Sequence, residues 1–150
     1  MSRSAQCVVL LLVGVTALAW GGVASAQDRD AFKVVVNAGN PLESATRSQV
    51  SDLFLKKTKT WANGVEVEPI DLYPTSEVRA AFSEAVHRRS VAAVKSYWQR
   101  QIFSGEAVPP TEIENERQVL AWVAEIPGAV GYVAASTPLT ERVKVLRVTD

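Results

Sequence analysis

The sequence predicts an α/β fold, a mostly parallel sheet of about four to five strands flanked by helices. An apolar helix face over residues 118–126 ends at Pro127-Gly128 and leads at once into the short apolar strand 130–133. Proline cannot donate the hydrogen bond that would continue the helix, and a helix that feeds directly into an apolar strand is half of a βαβ unit. Helical and strand patterns also alternate along the rest of the chain, without an internal repeat.

The first 26 residues have the pattern of a signal peptide. Arg3 supplies the positive start, residues 7–20 are mostly apolar, and Ala24-Ser25-Ala26 is a small-residue cleavage signature. We expect cleavage before Gln27 and export, with one domain over residues 27–150. A leader that remains as a membrane anchor is the alternative, although the apolar run is short for a span.

Composition excludes some classes of protein. The chain has 16 Lys and Arg against 16 Asp and Glu, so it lacks the basic field that a nucleic-acid binder needs. Its single cysteine, Cys7, lies in the leader. The domain therefore has no disulfide and must be held together by its core.

The first half of the domain reads as strand, helix, strand. Residues 32–36 are a β-branched run typical of a strand buried on both faces, and residues 37–44 are a polar turn. Thr46 and Gln49 fit a capping box that opens a helix. Residues 65–72 alternate between apolar and polar, which predicts a half-exposed strand, and Pro69 suggests an edge or a bulge in it.

Three more helices and two strands follow. We expect helices that begin at Ser76, Ser90 and Asn115, since these residue types cap helix N-termini. The second of them should bury the face that includes Trp98 and Ile102, and most aromatic side chains should lie in the core. Strands over 130–133 and 143–148 complete the predicted order β-α-β-α-α-α-β-β.

Enzyme signatures are missing from the sequence. After the leader there is no cysteine and one histidine, His87, and there is no nucleophile-elbow, zinc-protease or P-loop motif. We therefore predict a protein that is not an enzyme, with no catalytic residues, no metal and no cofactor. A hydrolase built from carboxylates that only the fold brings together stays as an alternative.

The best candidate site is the turn between the strand that ends at Leu72 and the helix that begins near Ser76. Ligands of parallel sheets bind at the carboxyl ends of strands, and a helix N-terminus suits an anion. Thr75 and Ser76 offer hydroxyl groups, and Arg79 offers a planar fork for an oxyanion. The alternative is that Ser76 is an ordinary cap and that Arg79 pairs with a neighbouring glutamate or faces water.

Asn37 is a second candidate ligand residue. It follows the first strand, so it would lie at the same sheet edge as Ser76 if the two strands are parallel. The alternative is an ordinary turn residue.

Five segments together resemble the phosphate-binding protein of bacterial phosphate ABC transporters, in the periplasmic binding-protein superfamily. They are residues 34–37, 49–61 (QVSDLFLKKTKTW), 65–72, Phe82, and 119–133, which includes PGAVGYV. The resemblance implies an export signal, a periplasmic location, a lobe with a parallel sheet and anion binding at a helix N-terminus. Phosphate or a related oxyanion is then the expected ligand, and transport the expected process.

The chain departs from this family in two ways. It is long enough for only one of the two lobes that clamp the ligand, and the family's Arg-x-Asp-Gly-Ser-Gly-Thr type of anion loop falls on residues 72–78, where only Ser76 matches. Glu77 would stand beside the anion and repel it. Two functions therefore stay open: an oxyanion-binding lobe, with a homodimer as one way to cover the ligand, or a ligand-free interaction module that binds a transporter or another envelope partner.

Overall fold

The computed structural model describes residues 31–150, and the proposed leader, its cleavage site and Cys7 lie outside this part of the chain. The strands are β1 (Phe32–Asn37), β2 (Ser44–Thr46), β3 (Glu68–Leu72), β4 (Thr111–Ile113), β5 (Ala129–Ala134) and β6 (Val143–Thr149). The helices are α1 (Arg47–Phe54), α2 (Glu77–Phe82), α3 (Val91–Ser104) and α4 (Glu116–Glu125), and a π-helical turn, Ser83–His87, continues α2. No helix within residues 31–150 is long and apolar enough to cross a bilayer.

The strands form one mixed sheet in the order β2-β6-β1-β5-β3-β4. Three of its pairings are parallel, namely β2 with β6, β3 with β4 and β3 with β5, whereas β1 runs antiparallel to both β5 and β6. This confirms the predicted α/β lobe, in which three of the five strand pairings are parallel. The sheet has six strands because the three-residue strands β2 and β4 add to the four that the sequence pattern shows.

Local sequence signals explain most of the elements. Thr46 and Gln49 form the expected capping box, and the side chains of Ser76, Ser90 and Asn115 each accept a backbone hydrogen bond at a helix start. The α4 helix ends before Pro127, as predicted. Gly128 is required there because a Cβ atom would lie 1.8 Å from the carbonyl oxygen of Glu66.

The strand predicted over residues 65–72 is shorter and more buried than expected. Four of its five residues in β3 are buried, since β5 lies on one side of the strand and β4 on the other. Pro69 is tolerated because β4 begins only opposite Ile70. The Glu68 amide donates to Gly128 on the β5 side, so the missing N–H of Pro69 falls on the side where β4 has not yet begun.

A main core fills the space between the sheet and the helices. It includes the central valines of β1, the inner face of α4 and a stack of aromatic rings in which Phe82 lies parallel to Tyr132, with ring centroids 3.9 Å apart. A second, separate cluster joins Leu55 at the end of α1 to Val94 and Trp98 of α3. The α3 helix is therefore attached to the lobe through a small apolar contact of its own.

Candidate functional site

The carboxyl ends of β3 and β5 meet at one edge of the sheet, where the loop 73–76 and the start of α4 enclose an open crevice. Its volume is about 720 Å³, and it is lined by Leu72, Ser76, Glu114, Asn115, Glu116, Arg117 and Thr137. The crevice lies where ligands bind in open α/β sheets. It is the region in which the sequence placed its candidate site.

Of the two hydroxyl residues that the sequence proposes, Ser76 lines this crevice and Thr75 does not. The Ser76 side chain is partly buried and accepts a hydrogen bond from the Arg79 amide at 3.3 Å, so it caps α2. Its own hydroxyl proton remains available for an acceptor in the crevice. Thr75 is exposed on the adjoining loop.

Arg79 does not point into the crevice. Its side chain is only 6% exposed, and its guanidinium donates to the Leu72 carbonyl oxygen at 2.5 Å and to Glu112 at 2.6 Å, with Asp71 at 3.1 Å. All three partners belong to β3 and β4. The guanidinium is therefore occupied by the sheet beneath α2. Arg79 is neither a free anion fork nor a residue that faces water, and the glutamate that pairs with it is Glu112 on β4 rather than a neighbour on its own helix.

Asp71 and Tyr132 complete a buried polar layer with Arg79. The Tyr132 hydroxyl donates to Asp71, whose carboxylate also accepts from the Leu72 amide at 3.0 Å. Burial raises the pKa of Asp71, and the charge of Arg79 and the Tyr132 hydroxyl oppose that rise. Burial and the nearby Asp71 charge hold the pKa of Tyr132 well above its ordinary value. The layer is internally satisfied and offers no free donor to a ligand.

Asn37 lies at the opposite end of the sheet from Ser76. Since β1 runs antiparallel to β5, and β5 parallel to β3, the end of β1 lies beside the start of β3. The Asn37 carboxamide donates to the carbonyl oxygens of Val123 and Ala124 at 3.0 and 3.1 Å and accepts from the Gly39 amide at 2.9 Å. The condition for a shared site, parallel strands, is not met, and these hydrogen bonds tie the turn to the end of α4.

The crevice also contains two residues, Asn115 and Arg117, that no sequence pattern marks as ligand-binding. Arg117 is exposed in the first turn of α4 and makes no ion pair with any residue in the range 31–150. Asn115 caps α4 through its Oδ1 atom and keeps its amide group free to donate. The one sequence signal near them is the helix cap Asn115. It could not be placed at the sheet edge, because the strand before it, β4, has only three residues and shows no recognisable pattern.

Carboxylates share the crevice with these donors. Glu116 accepts from the Ala134 amide at 2.8 Å and from the Thr137 hydroxyl, so it is held by the end of β5. Glu114 lines the crevice and is exposed, and Glu77 is exposed at the start of α2. An anion in the crevice would meet hydroxyl, amide and guanidinium donors in a surrounding that is negative overall.

His87 and Ser51 form a second polar pair on the far side of the aromatic stack. The Ser51 hydroxyl and His87 Nδ1 are 2.8 Å apart, and the His87 ring meets Phe82 edge-on. Burial, and then the charges of Arg89, Arg79 and Lys57, lower the pKa of His87 to about 4. No group of three or more His, Cys, Asp or Glu side chains within residues 31–150 is arranged to hold a metal ion.

Comparison with known proteins gives a structural match only. No protein-family model and no curated relative matches the chain. Among solved structures it is similar to one assigned as a phosphate ABC transporter substrate-binding protein with bound phosphate from Clostridium perfringens (TM-score 0.62, 18% identity), over 79% of this chain and 45% of that one. It is also similar to an ABC-type phosphate transport receptor from Vibrio cholerae, with a TM-score of 0.63 and 17% identity over 79% of this chain and 46% of that one. A third similar structure is PstS from Borrelia burgdorferi, with a TM-score of 0.54 and 14% identity over 79% of this chain and 47% of that one.

These matches concern the fold. The chain spans less than half the length of each of these structures, and the identity is too low to carry over a ligand. The resemblance noted in the sequence is confirmed at the level of architecture. The chain has the fold of a single lobe of the phosphate ABC transporter substrate-binding proteins.

Proposed function

We propose that the protein is an exported solute-binding-like lobe that recognises phosphate or a related small oxyanion in the crevice at the carboxyl end of β3, in connection with ABC-type transport. The observation that carries the proposal is the convergence of Ser76, Asn115 and Arg117 on one open crevice. A hydroxyl, a carboxamide and a guanidinium that makes no ion pair within residues 31–150 supply the donors that an oxyanion accepts.

The fold and the resemblance support this choice of ligand. The lobe matches proteins described as phosphate-binding or phosphate transport receptors, one of them with bound phosphate. The sequence resemblance implies that the family's anion loop corresponds to residues 72–78, where Ser76 alone matches, and Leu72 and Ser76 line the crevice. The positive charge would come from Arg117 on α4, because Arg79 is occupied by Asp71 and Glu112. Arg117 would thus take the part that the sequence suggested for Arg79.

The open crevice limits affinity. Clamping between two lobes removes water from an ionic contact, whereas here the crevice faces solvent. Glu114 lines the crevice, and Glu77 is exposed on α2 next to Ser76. We expect binding on the order of 1 mM for an isolated lobe, about −4 kcal/mol. A second copy or a transporter subunit that covers the crevice would tighten it.

Calorimetric titration with phosphate, sulfate, nitrate and chloride tests the proposal. We expect saturable heat for the tetrahedral oxyanions and loss of at least about tenfold in affinity, about 1.4 kcal/mol, in Ser76→Ala and in Arg117→Ala. Arg142→Ala is the matched control, since Arg142 is also an exposed arginine but pairs with Glu125. Equal heats from all four anions, or from all variants, would refute a built site.

Export is tested separately from binding. The full chain is produced in a Gram-negative host, and the N-terminus of the protein recovered from the periplasm is read by mass spectrometry. A start at Gln27 agrees with the predicted cleavage, whereas full-length protein confined to the cytoplasm would contradict export.

An interaction module is the second candidate function. It is favoured by the internal pairing of Arg79 and by the three carboxylates near the crevice, Glu77, Glu114 and Glu116. This candidate predicts no anion-dependent heat and no anion-dependent stabilisation. In that case the surfaces outside the crevice carry the function.

A further inference from the structure

The free end of α3 is an apolar tip that the core does not use. Ile102 is 54% exposed, Phe103 is 93% exposed and Val108, just after the helix, is 65% exposed. The sequence pattern assigned Ile102 to the buried face of α3, and this expectation is wrong. Phe103 is an exception to the expectation that most aromatic side chains lie in the core. We call these three residues the α3 tip.

The α3 tip projects from the lobe. The α3 helix is joined to the rest of the molecule through the small cluster of Leu55, Val94 and Trp98, separate from the main core. At Gly105, which has a φ of 71°, the helix ends with hydrogen bonds from the Gly105 and Glu106 amides back to the last turn. The chain therefore reverses directly beyond the tip, and the tip forms a convex end rather than a groove.

Cations lie on the side of the molecule that carries the α3 tip. Arg100 lies three residues before Phe103 on a neighbouring face of α3, and Lys95 lies on the same face as Ile102, about two turns earlier. Lys56, which follows α1, donates from its ammonium to the Pro109 carbonyl oxygen in the tip loop at 3.3 Å. Glu106 is the one carboxylate in the segment 91–110.

We propose that the α3 tip inserts into the surface of a bilayer that contains anionic lipid. Isolated large apolar side chains beside Lys and Arg are the combination that holds a protein at an anionic membrane surface, through apolar burial and attraction to headgroups. A protein partner fits less well, because three side chains on a convex end cover far less than the roughly 800 Å² per partner that a stable interface buries. The tip would hold the lobe beside membrane components without occupying the crevice.

Vesicle flotation with the protein that cells export tests this proposal. The wild type and its variants are recovered with the same N-terminus, confirmed by mass spectrometry, so that any remaining leader contributes equally. Vesicles of phosphatidylcholine and phosphatidylglycerol at 3:1 are compared with pure phosphatidylcholine. The single variants Phe103→Ser and Ile102→Ser each remove an apolar side chain of the tip, and the double variant Lys95→Glu with Arg100→Glu reverses the charge beside it. Val145→Ser is the control, because Val145 is also an exposed apolar side chain but lies in β6.

On the mixed vesicles, we expect Phe103→Ser to partition at least about tenfold less than the wild type, the charge-reversed variant to partition less, and Val145→Ser to match the wild type. The wild type itself should partition at least about tenfold less on pure phosphatidylcholine, and less on the mixed vesicles at high salt. Folding is preserved in Phe103→Ser because the ring makes almost no contact with the protein. Equal partitioning of Phe103→Ser and wild type, equal binding to neutral vesicles, or dimerisation that depends on Phe103 would each overturn the proposal. The assay contains no oxyanion ligand, so its outcome is independent of the crevice.

Discussion

Two polar layers lie one above the other at the carboxyl end of β3, and they differ in what they do. The lower layer joins Asp71, Arg79 and Tyr132 beneath α2, with every charged group paired and almost no exposure. The upper layer, with Ser76 and Arg117, faces the open crevice and keeps donors free. The arginine on α2 therefore supports the fold, whereas the arginine available to a ligand comes from α4.

Because the layers differ in this way, substitutions in them should change different properties of the protein. Changes in the lower layer should alter stability, and changes in the upper layer should alter ligand binding while the fold persists. Three of the four predictions below separate the two layers, and one concerns the buried His87; they are given in order of decreasing effect.

Arg79→Met should destabilise the protein by about 3–5 kcal/mol, because it leaves the buried Asp71 carboxylate without its cation. Urea unfolding measures the loss. The double variant Asp71→Asn with Arg79→Met is the matched control and should regain part of it, since no buried charge then remains unpaired. A loss below about 1 kcal/mol in Arg79→Met would mean that the lower layer is not structural.

The free energy of unfolding should fall as the pH is lowered, because the buried His87 resists protonation in the folded protein. Its folded pKa of about 4 lies below the ordinary 6.5, so between these values the unfolded chain binds a proton that the folded chain does not. The His87 contribution is complete above pH 6.5 and is lost as pH falls toward 4, by about 1–3 kcal/mol. Urea unfolding of the wild type and of His87→Gln at several pH values separates the His87 contribution from that of the carboxylates. If the free energy of unfolding falls equally with acid in the two proteins, His87 makes no such contribution.

Ser76→Ala should cost about 1 kcal/mol of stability, since it removes the α2 cap, and it should also weaken oxyanion binding. Ser90→Ala is the control because Ser90 caps α3 in the same way but lies away from the crevice. The two variants should lose similar stability, and only Ser76→Ala should lose affinity. Equal affinities in both would remove Ser76 from the site.

Thr75→Val should change stability by less than about 0.5 kcal/mol, because the side chain is exposed on a loop. If the Thr75 hydroxyl reaches the ligand, as the sequence suggests, affinity for phosphate should fall by a few-fold. Calorimetric titration measures this change. Affinity equal to that of wild type would place the ligand deeper, between Ser76 and Arg117.

Much of the fold could be predicted because its signals are local. The capping box of Thr46 and Gln49, the caps Ser76, Ser90 and Asn115, and the stop at Pro127 each act within a few residues. The strands β2 and β4 were not foreseen, since three residues are too few to show periodicity. Strand direction was also beyond local reasoning, and the antiparallel course of β1 separates Asn37 from Ser76.

The roles within the site depended on distant residues. Arg79 pairs with Glu112, which is 33 positions away and lies on one of the unforeseen strands. Its burial follows from the packing of α2 on the sheet, and no spacing rule connects the two residues. Arg117 was missed for the same reason, because only the fold brings the start of α4 beside Ser76.

Oxyanion binding in the crevice is best tested by thermal unfolding of the wild type, Arg117→Ala and Arg142→Ala with and without phosphate. A ligand that binds only the folded state stabilises it by RT ln(1 + [L]/Kd), so phosphate at about tenfold above Kd adds about 1.4 kcal/mol. The claim predicts a phosphate-dependent rise in Tm for the wild type and for Arg142→Ala, and its loss in Arg117→Ala. An equal rise in all three proteins, or no rise in the wild type, would contradict oxyanion binding in the crevice.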